Sequence, residues 1–222
     1  MEEILSFKNV NYSYDNSAVI LDKVDVSFEK SKFYTIVGPS GSGKTTFLSL
    51  AAGLDKQNGG EILYKGESLK NIGLEKYRNK YVSIIFQGYN LLNYMTALEN
   101  VTSAMSIKGM KSKDNKSIAM EKLKRVGLSE EQAHQKVLTL SGGQQQRVAI
   151  ARALCCETDL IVADEPTGNL DEDTSNEIIK LFKDIVKNEN KALIMVTHNK
   201  EIARVSDEVY GVKSKKLIKL SK

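Results

Sequence analysis

Residues 33–46 read FYTIVGPSGSGKTT, and no other stretch limits the fold of this chain so sharply. Phe33 to Val37 is a short apolar run suited to a buried strand. It passes directly into Gly38-Pro39-Ser40-Gly41-Ser42-Gly43-Lys44-Thr45-Thr46, and then into TTFLSLAAGL, whose helical periodicity ends near Gly53. Strand, glycine loop and helix in immediate succession fit the phosphate-cradling pattern GxxxxGK[ST] at every fixed position. Glycines let the backbone curl so that its N–H groups surround a β-phosphate. Lys44 brings a point charge to the β- and γ-phosphates, and the Thr45 hydroxyl can ligate Mg²⁺. A chance glycine-rich turn would lack the flanking strand and helix, so the stretch is read as a nucleotide site.

The rest of the chain alternates in the same way. Ile4 to Val10 and Val24 to Glu29 read as strands, with the turn residues Asp15, Asn16 and Ser17 between them. GGEILYKG is a strand or hairpin, and YVSIIF (81–86) a further buried strand. From about residue 90 to 140 helix formers take over. Strands return with DLIVAD, followed by IIKLFKDIV as helix, ALIMVT as strand and EVYGVKSKKLIKL as a hairpin. Buried strands joined by helices imply a parallel sheet covered on both faces. The expected division is an α/β core with a β subdomain at 1–89 and 141–222, and a helical subdomain at 90–140.

Composition narrows the function classes. A net charge of +4 is too mild to argue for nucleic acid. No apolar run approaches the roughly 18–20 residues that span a bilayer. The acidic opening MEEILSFKNV has no signal-peptide pattern. Cys155 and Cys156 are adjacent, without a CxxC or histidine cluster, and read as small apolar residues in a reducing compartment. The expectation is a protein of the cytosol or of the cytosolic side of a membrane.

Further residues gather around the glycine loop. Leu160 to Ala163 make a strand whose end presents Asp164, which would hold Mg²⁺ through water, and Glu165, which could orient or deprotonate an attacking water. Taken alone, they could be acidic turn residues. His198 follows ALIMVT and falls beyond the carboxyl end of a strand, where ligands of open α/β sheets sit; otherwise it is a loop histidine. Gln87 closes YVSIIFQ and could reach the same region. Tyr14 offers an aromatic face for adenine, with Tyr12 as the competitor on the same side of the strand. His134 reads as surface. LSGGQQQR (140–147) precedes the helical run VAIARALCC, so Ser141, Gly142 and Gly143 stand at a helix mouth built to receive an anion. The plainer reading is a helix cap, but a cap needs only the serine and has no evident use for both glycines and Gln144.

Together these pieces resemble the ATP-binding subunits of ABC transporters over nearly the whole chain. The resemblance implies an α/β P-loop NTPase (RecA-like) core with a parallel sheet, an N-terminal antiparallel β subdomain and an inserted α-helical subdomain. By the same likeness GPSGSGKT is the Walker A loop, Gln87 the Q-loop glutamine and a Mg²⁺ ligand, and LSGGQ the family signature. LIVADE matches the Walker B strand with its catalytic glutamate, His198 the switch histidine, and Asp171 of Asn169-Leu170-Asp171 the D-loop. Departures are small: Thr45-Thr46 where Ser-Thr is common, and Gly168-Asn169 ahead of the D-loop leucine. In that family two subunits pack head to tail and Ser141, Gly142, Gly143 and Gln144 cap the ATP on the partner's Walker A. The resemblance therefore implies ATP and Mg²⁺ as cofactors, a homodimer on ATP binding, and a membrane permease on separate chains. It also implies a peripheral position on the cytoplasmic face of the cell membrane. GYNLLNYMTALENV (88–101) is similar to the macrolide-export, lipoprotein-release and antimicrobial-peptide resistance subgroup, implying export or extraction of a peptide, lipid-linked or antibiotic substrate. The alternative is a cell-division ATPase that acts on a membrane partner mechanically. A chromosome or DNA-repair ATPase head would need a long coiled coil where only about a hundred residues without sustained heptads stand. Lys108, Lys111, Lys113, Lys116, Lys122, Lys124 and Arg125, and the tail KSKKLIKLSK, read as solvated faces or as contacts to anionic headgroups.

Overall fold

The computed structural model describes residues 2–14, 18–110 and 114–221. The expected turn at Asp15, Asn16 and Ser17, the basic residues Lys111 and Lys113, and the terminal Lys222 lie outside the described residues. The chain opens with two long strands, β1 (Glu3–Ser13) and β2 (Val19–Glu29), then β3 (Phe33–Val37) and α1 (Lys44–Ala51). Next come β4 (Gly59–Tyr64), β5 (Glu67–Ser68), α2 (Leu69–Ile72), α3 (Leu74–Lys80) and β6 (Val82–Ile85). A helical stretch follows: α4 (Ala97–Ile107), α5 (Asn115–Arg125), α6 (Glu130–His134), a 3-10 turn at Val137–Thr139, and α7 (Gly142–Leu154). Alternation resumes with β7 (Leu160–Asp164), α8 (Glu172–Asn188), β8 (Ala192–Val196) and α9 (Lys200–Val205), and the hairpin β9 (Glu208–Lys213) and β10 (Lys216–Leu220) closes it.

Contacts divide the chain into two compact units. The first comprises Met1–Ile84, Asp159–Glu165 and Phe182–Lys222, the second Ile85–Thr158 and Pro166–Leu181. In the first unit, one sheet has the order β2-β1-β4-β5 and the other β10-β9-β3-β8-β7-β6. β3 pairs in parallel with β8 and β9, and β7 in parallel with β8. Every residue of β8 is buried, as a strand with neighbours on both edges and cover on both faces requires. The ladder pairs Ile36 with Val196 and Val196 with Asp164, which aligns the carboxyl ends of three central strands. That alignment places the loops after β3, β7 and β8 beside one another. Phe7 of β1 stacks on Phe47 of α1 at 4.6 Å, tying the antiparallel sheet to the helix that leaves the glycine loop.

Both opening strands outrun their apolar segments, because β1 and β2 pair across register shifts at which Asn9 (φ 52°) and Lys23 (φ 47°) turn left-handed. α1 stops at Ala51, and Gly53 at φ 65° follows in the position where an L side chain would be strained. A Cβ there would also come within 2.6 Å of the Tyr77 ring.

In the second unit α4, α5 and α7 pack on one another and bury Val101, Met105, Ala119, Leu123 and Val148. Complete capping boxes open α4, α6 and α7: Thr96 with Glu99, Ser129 with Gln132, and Ser141 with Gln144. The sequence division put residues from 141 onward with the core; by contacts α7 groups with the helices, together with residues 166–181. Among the described residues, no helix is long and apolar enough to cross a membrane.

Candidate functional site

The glycine loop is shaped by what will not fit in it. Gly43 stands at φ 103° and Gly41 at φ 73°, while a Cβ on Gly38 would lie 2.8 Å from the Ser42 hydroxyl. Lys44, only 8% exposed, turns its ammonium back into the loop and donates to the carbonyls of Gly38 and Pro39, both at 2.9 Å. Two carbonyl dipoles do not neutralise a buried cation. The Ser42 hydroxyl in the same loop is buried with no hydrogen-bond partner among the described residues. A buried cation bonded to two carbonyls and an orphaned hydroxyl in the same loop are what a phosphate would complete.

The loop opens on a cavity of 560 Å³ whose walls include Tyr14, Ile20, Thr45, Thr46, Glu165 and His198. That geometry separates the two candidate tyrosines. Tyr12 is 5% exposed, absent from the cavity wall, and donates its hydroxyl to Asp55. Burial, and then the Asp55 carboxylate, push its phenol far above the ordinary range. Tyr14 is 49% exposed with its hydroxyl 3.2 Å from that of Thr46. Its ring meets the edge of Tyr12 at 4.9 Å, so the buried tyrosine props the exposed one.

Asp164 ends β7, and burial raises its carboxyl pKa; the Glu165 charge adds to the rise while Lys44 opposes it. Glu165 adopts φ 42°, a left-handed conformation unfavourable for its residue type, and its N–H donates to the Val196 carbonyl at 2.9 Å. One of its carboxylate oxygens lies 2.9 Å from Nδ1 of the exposed His198. Among the described residues no group of three or more His, Cys, Asp or Glu side chains could hold a metal by itself. A carboxylate at Asp164 and a hydroxyl at Thr45 suit Mg²⁺, which takes most of its octahedron from phosphate oxygens and water.

The remaining candidates belong to the second unit. Gln87 is exposed and exchanges two bonds with Asn169: Gln87 Nε2 donates to Asn169 Oδ1 at 3.3 Å, and Asn169 Nδ2 donates to the Gln87 carbonyl at 3.2 Å. Asp171 caps α8, accepting from the Thr174 N–H at 2.9 Å and hydroxyl at 2.7 Å, and those bonds lower its carboxyl pKa. At the mouth of α7 a full capping box forms, contrary to the expectation that Gln144 serves no cap. The Ser141 hydroxyl accepts from the Gln144 N–H at 3.3 Å, while the Gln144 side chain accepts from the Ser141 N–H at 2.8 Å, so Gln144 has a capping use after all. The glycines have a packing use too. A Cβ on Gly142 would lie 3.0 Å from the Tyr89 hydroxyl, and one on Gly143 would lie 2.4 Å from the Thr174 methyl. The box nevertheless leaves the first-turn amides of Gly142 and Gly143 without an acceptor among the described residues, at the positive end of a 13-residue helix.

Other features fall outside the site. His134 is exposed, with Nδ1 2.8 Å from the Glu130 carbonyl. Cys155 is buried and Cys156 half-buried, without a disulfide between them. Of the basic residues, Lys124 meets Glu130 at 3.4 Å, Lys219 meets Glu208 at 2.8 Å, and burial lowers the Lys108 pKa. The hydrogen-bonding needs of Ser42 and the roles of Asn169 and Tyr89 were not read from the sequence, where nothing local marks them.

The chain is similar to known proteins along nearly its whole length. The family model described as ABC transporter matches residues 21–168. The ABC transporter ATP-binding protein YclH of Bacillus subtilis is 62% identical over 205 residues, covering 92% of this chain and 91% of that protein. The lipoprotein-releasing system ATP-binding protein LolD of Rickettsia bellii is 41% identical over 214 residues, covering 95% and 96%. Among solved structures, the dimeric bacterial ABC transporter cassette MJ0796 superposes with a TM-score of 0.85 at 35% identity, covering 96% of each chain. A post-hydrolysis form of the same cassette bound to ADP and Pi matches to the same extent. With a Walker-type loop, paired acids, a facing histidine and these relatives, the chain belongs to the ABC transporter family, as an ATP-hydrolysing cassette.

Proposed function

We propose that two copies of this chain close head to tail around ATP and drive a separate membrane permease. The observation that carries this reading is the pair of unused glycine amides at the mouth of α7. The glycine loop has its own amides and Lys44, so one chain presents two anion-receiving sets on two compact units. A partner's γ-phosphate gives the second set a task, and the dimeric MJ0796 cassette is the precedent.

In the closed dimer Tyr14 stacks on adenine, the Gly38–Thr46 loop holds the phosphates, and Ser141, Gly142, Gly143 and Gln144 meet the γ-phosphate from the partner. Thr45 and, through water, Asp164 would hold Mg²⁺, with Gln87 the further ligand that the family likeness implies, and the ion would supply charge neutralisation for the phosphates. Glu165 takes the proton from the attacking water as its oxygen bonds the γ-phosphorus and the bond to the β–γ bridging oxygen breaks. His198, already bonded to Glu165, holds that carboxylate in line. Asp171 faces the partner across the dimer. ATP binds the closed dimer more tightly than the monomer, that difference drives closure, and hydrolysis removes it. The cargo is a peptide, lipid-linked or antibiotic molecule exported or extracted by the permease, with this chain held peripherally on the cytoplasmic face. The lipoprotein-releasing relatives support that choice.

The test uses Glu165→Gln, which should trap an ATP-dependent dimer on size exclusion. Adding Ser141→Arg should abolish that dimer and leave the ATP affinity of the dilute monomer unchanged. Ser141→Ala is the control: it loses the hydroxyl, and with it a cap worth about 1 kcal/mol, but brings no bulk or charge to the interface, so the dimer should weaken without being abolished. A large loss of monomer affinity in Ser141→Arg would place the loop in its own chain's site and overturn the head-to-tail reading.

A further inference from the structure

The turn after Gln87 has an unusual backbone. Tyr89 and Asn90 stand in succession at φ 58° and 49°, a left-handed pair that non-glycine residues seldom form. Successive residues of one helical hand aim their carbonyls in nearly the same direction, which makes a two-oxygen acceptor. The Arg152 guanidinium matches it: Nη2 donates to the Tyr89 carbonyl at 2.8 Å and Nη1 to that of Asn90. Arg147, earlier on α7, shares its donors between the Val126 carbonyl and the Glu177 carboxylate, each at 2.7 Å. Arg152 has no carboxylate partner among the described residues, so its fork is committed to this turn. Two more ties end on the same segment. The Tyr89 hydroxyl lies against Gly142, and Gln87 exchanges its two bonds with Asn169, two residues before Asp171. Gln87, the mouth of α7 and the approach to Asp171 thus form one connected body within the second unit.

We propose that Arg152 is a positioning residue for ATP hydrolysis: it holds the Tyr89–Asn90 turn left-handed and so fixes Gln87 relative to Ser141–Gln144. The inference rests on the reading of Gln87 and the signature loop given above. Lysine keeps the charge and the stem of Arg152 but cannot fork, and valine at the exposed Asn90 cannot hold a positive φ cheaply. Arg152→Lys and Asn90→Val therefore disturb one turn from opposite sides. Each should lower kcat by about 10- to 100-fold, the span that a displacement of roughly an ångström costs. KM for ATP should stay within about twofold, because ground-state binding is untouched. The thermal transition should persist. Adding Asn90→Gly to Arg152→Lys should recover at least about threefold in kcat, since glycine takes the left-handed form unaided.

Gln87→Ala is measured in parallel. Parental turnover in Gln87→Ala would overturn the reading of Gln87. Impaired Gln87→Ala beside a fully active Arg152→Lys would overturn the role given to Arg152. A loss in Arg152→Lys that glycine does not recover, or that appears in KM or as a missing thermal transition, would assign Arg152 to the fold alone and overturn it as well.

Discussion

Replacing Glu165 by glycine should make the protein more stable and almost inactive. The left-handed conformation at φ 42° is pinned, because the Glu165 N–H is bonded to Val196 at the end of the β8 ladder. Strain of this kind at a non-glycine residue costs about 1–3 kcal/mol. The extra freedom of glycine in the unfolded chain takes back about 0.5–1 kcal/mol. Losing the contact to the exposed His198 costs at most about 1 kcal/mol. Removing the like charge beside half-buried Asp164 works in the stabilising direction. A net gain of about 1 kcal/mol raises the melting temperature by about 2–4 °C in a chain of this size. Turnover should fall by about 10² to 10⁴, the range for losing a positioned proton acceptor. That fall corresponds to about 3–5 kcal/mol of barrier. Glu165→Gln is the matched control: it loses the same like charge but keeps the strained backbone, so it should melt below Glu165→Gly and lose the same activity. Differential scanning calorimetry and a phosphate-release assay read both quantities. If Glu165→Gly melts at or below Glu165→Gln, the strain argument is wrong. If Glu165→Gln turns over near the parental rate, the proton goes elsewhere, with His198 next in line.

Lys44→Ala removes the buried charge proposed to meet the phosphates. A charge-assisted hydrogen bond is worth about 1.5–3 kcal/mol, so nucleotide affinity should fall by about 10- to 100-fold in a fluorescent-analogue titration. Unchanged affinity would remove the phosphate assignment of the loop. Asp164→Asn tests the electrostatics of the acid pair. Because burial, and then the Glu165 charge, raise the Asp164 pKa, the folded state holds that proton more tightly than the unfolded one. Its contribution favours folding below the ordinary aspartate range and is lost as pH rises through the raised value. Asparagine should therefore outlast the parent in urea at pH 7, with an advantage that shrinks on acidification. A difference independent of pH would contradict that origin.

The order of elements was legible because each piece is a local requirement written in consecutive residues. FYTIV must be buried and extended, the glycines must turn, and TTFLSL must wind. DLIVAD and ALIMV repeat the apolar run of a strand covered on both faces. The separate division at 90 and 140 was less legible, since which helices pack together depends on faces rather than on runs. α7 follows a long helical stretch in the chain and joins it through α4 and α5.

What the sequence alone determined, then, is the glycine loop between strand and helix, the acids that end a strand, and the family these motifs resemble. Tertiary structure alone decided among residues that look equivalent in a string. Tyr12 and Tyr14 share a strand side, but only Tyr12 meets Asp55, 43 residues away, and is buried with it. His198 and Glu165 are 33 residues apart, and Gln87 and Asn169 are 82 apart. Gly142 and Gly143 are crowded by Tyr89 and Thr174 from elsewhere in the chain. Local backbone preference is encoded over a few neighbours, so a sequence displays it. Burial, pairing and crowding arise only when distant segments meet, and the packed chain is the first place where they exist.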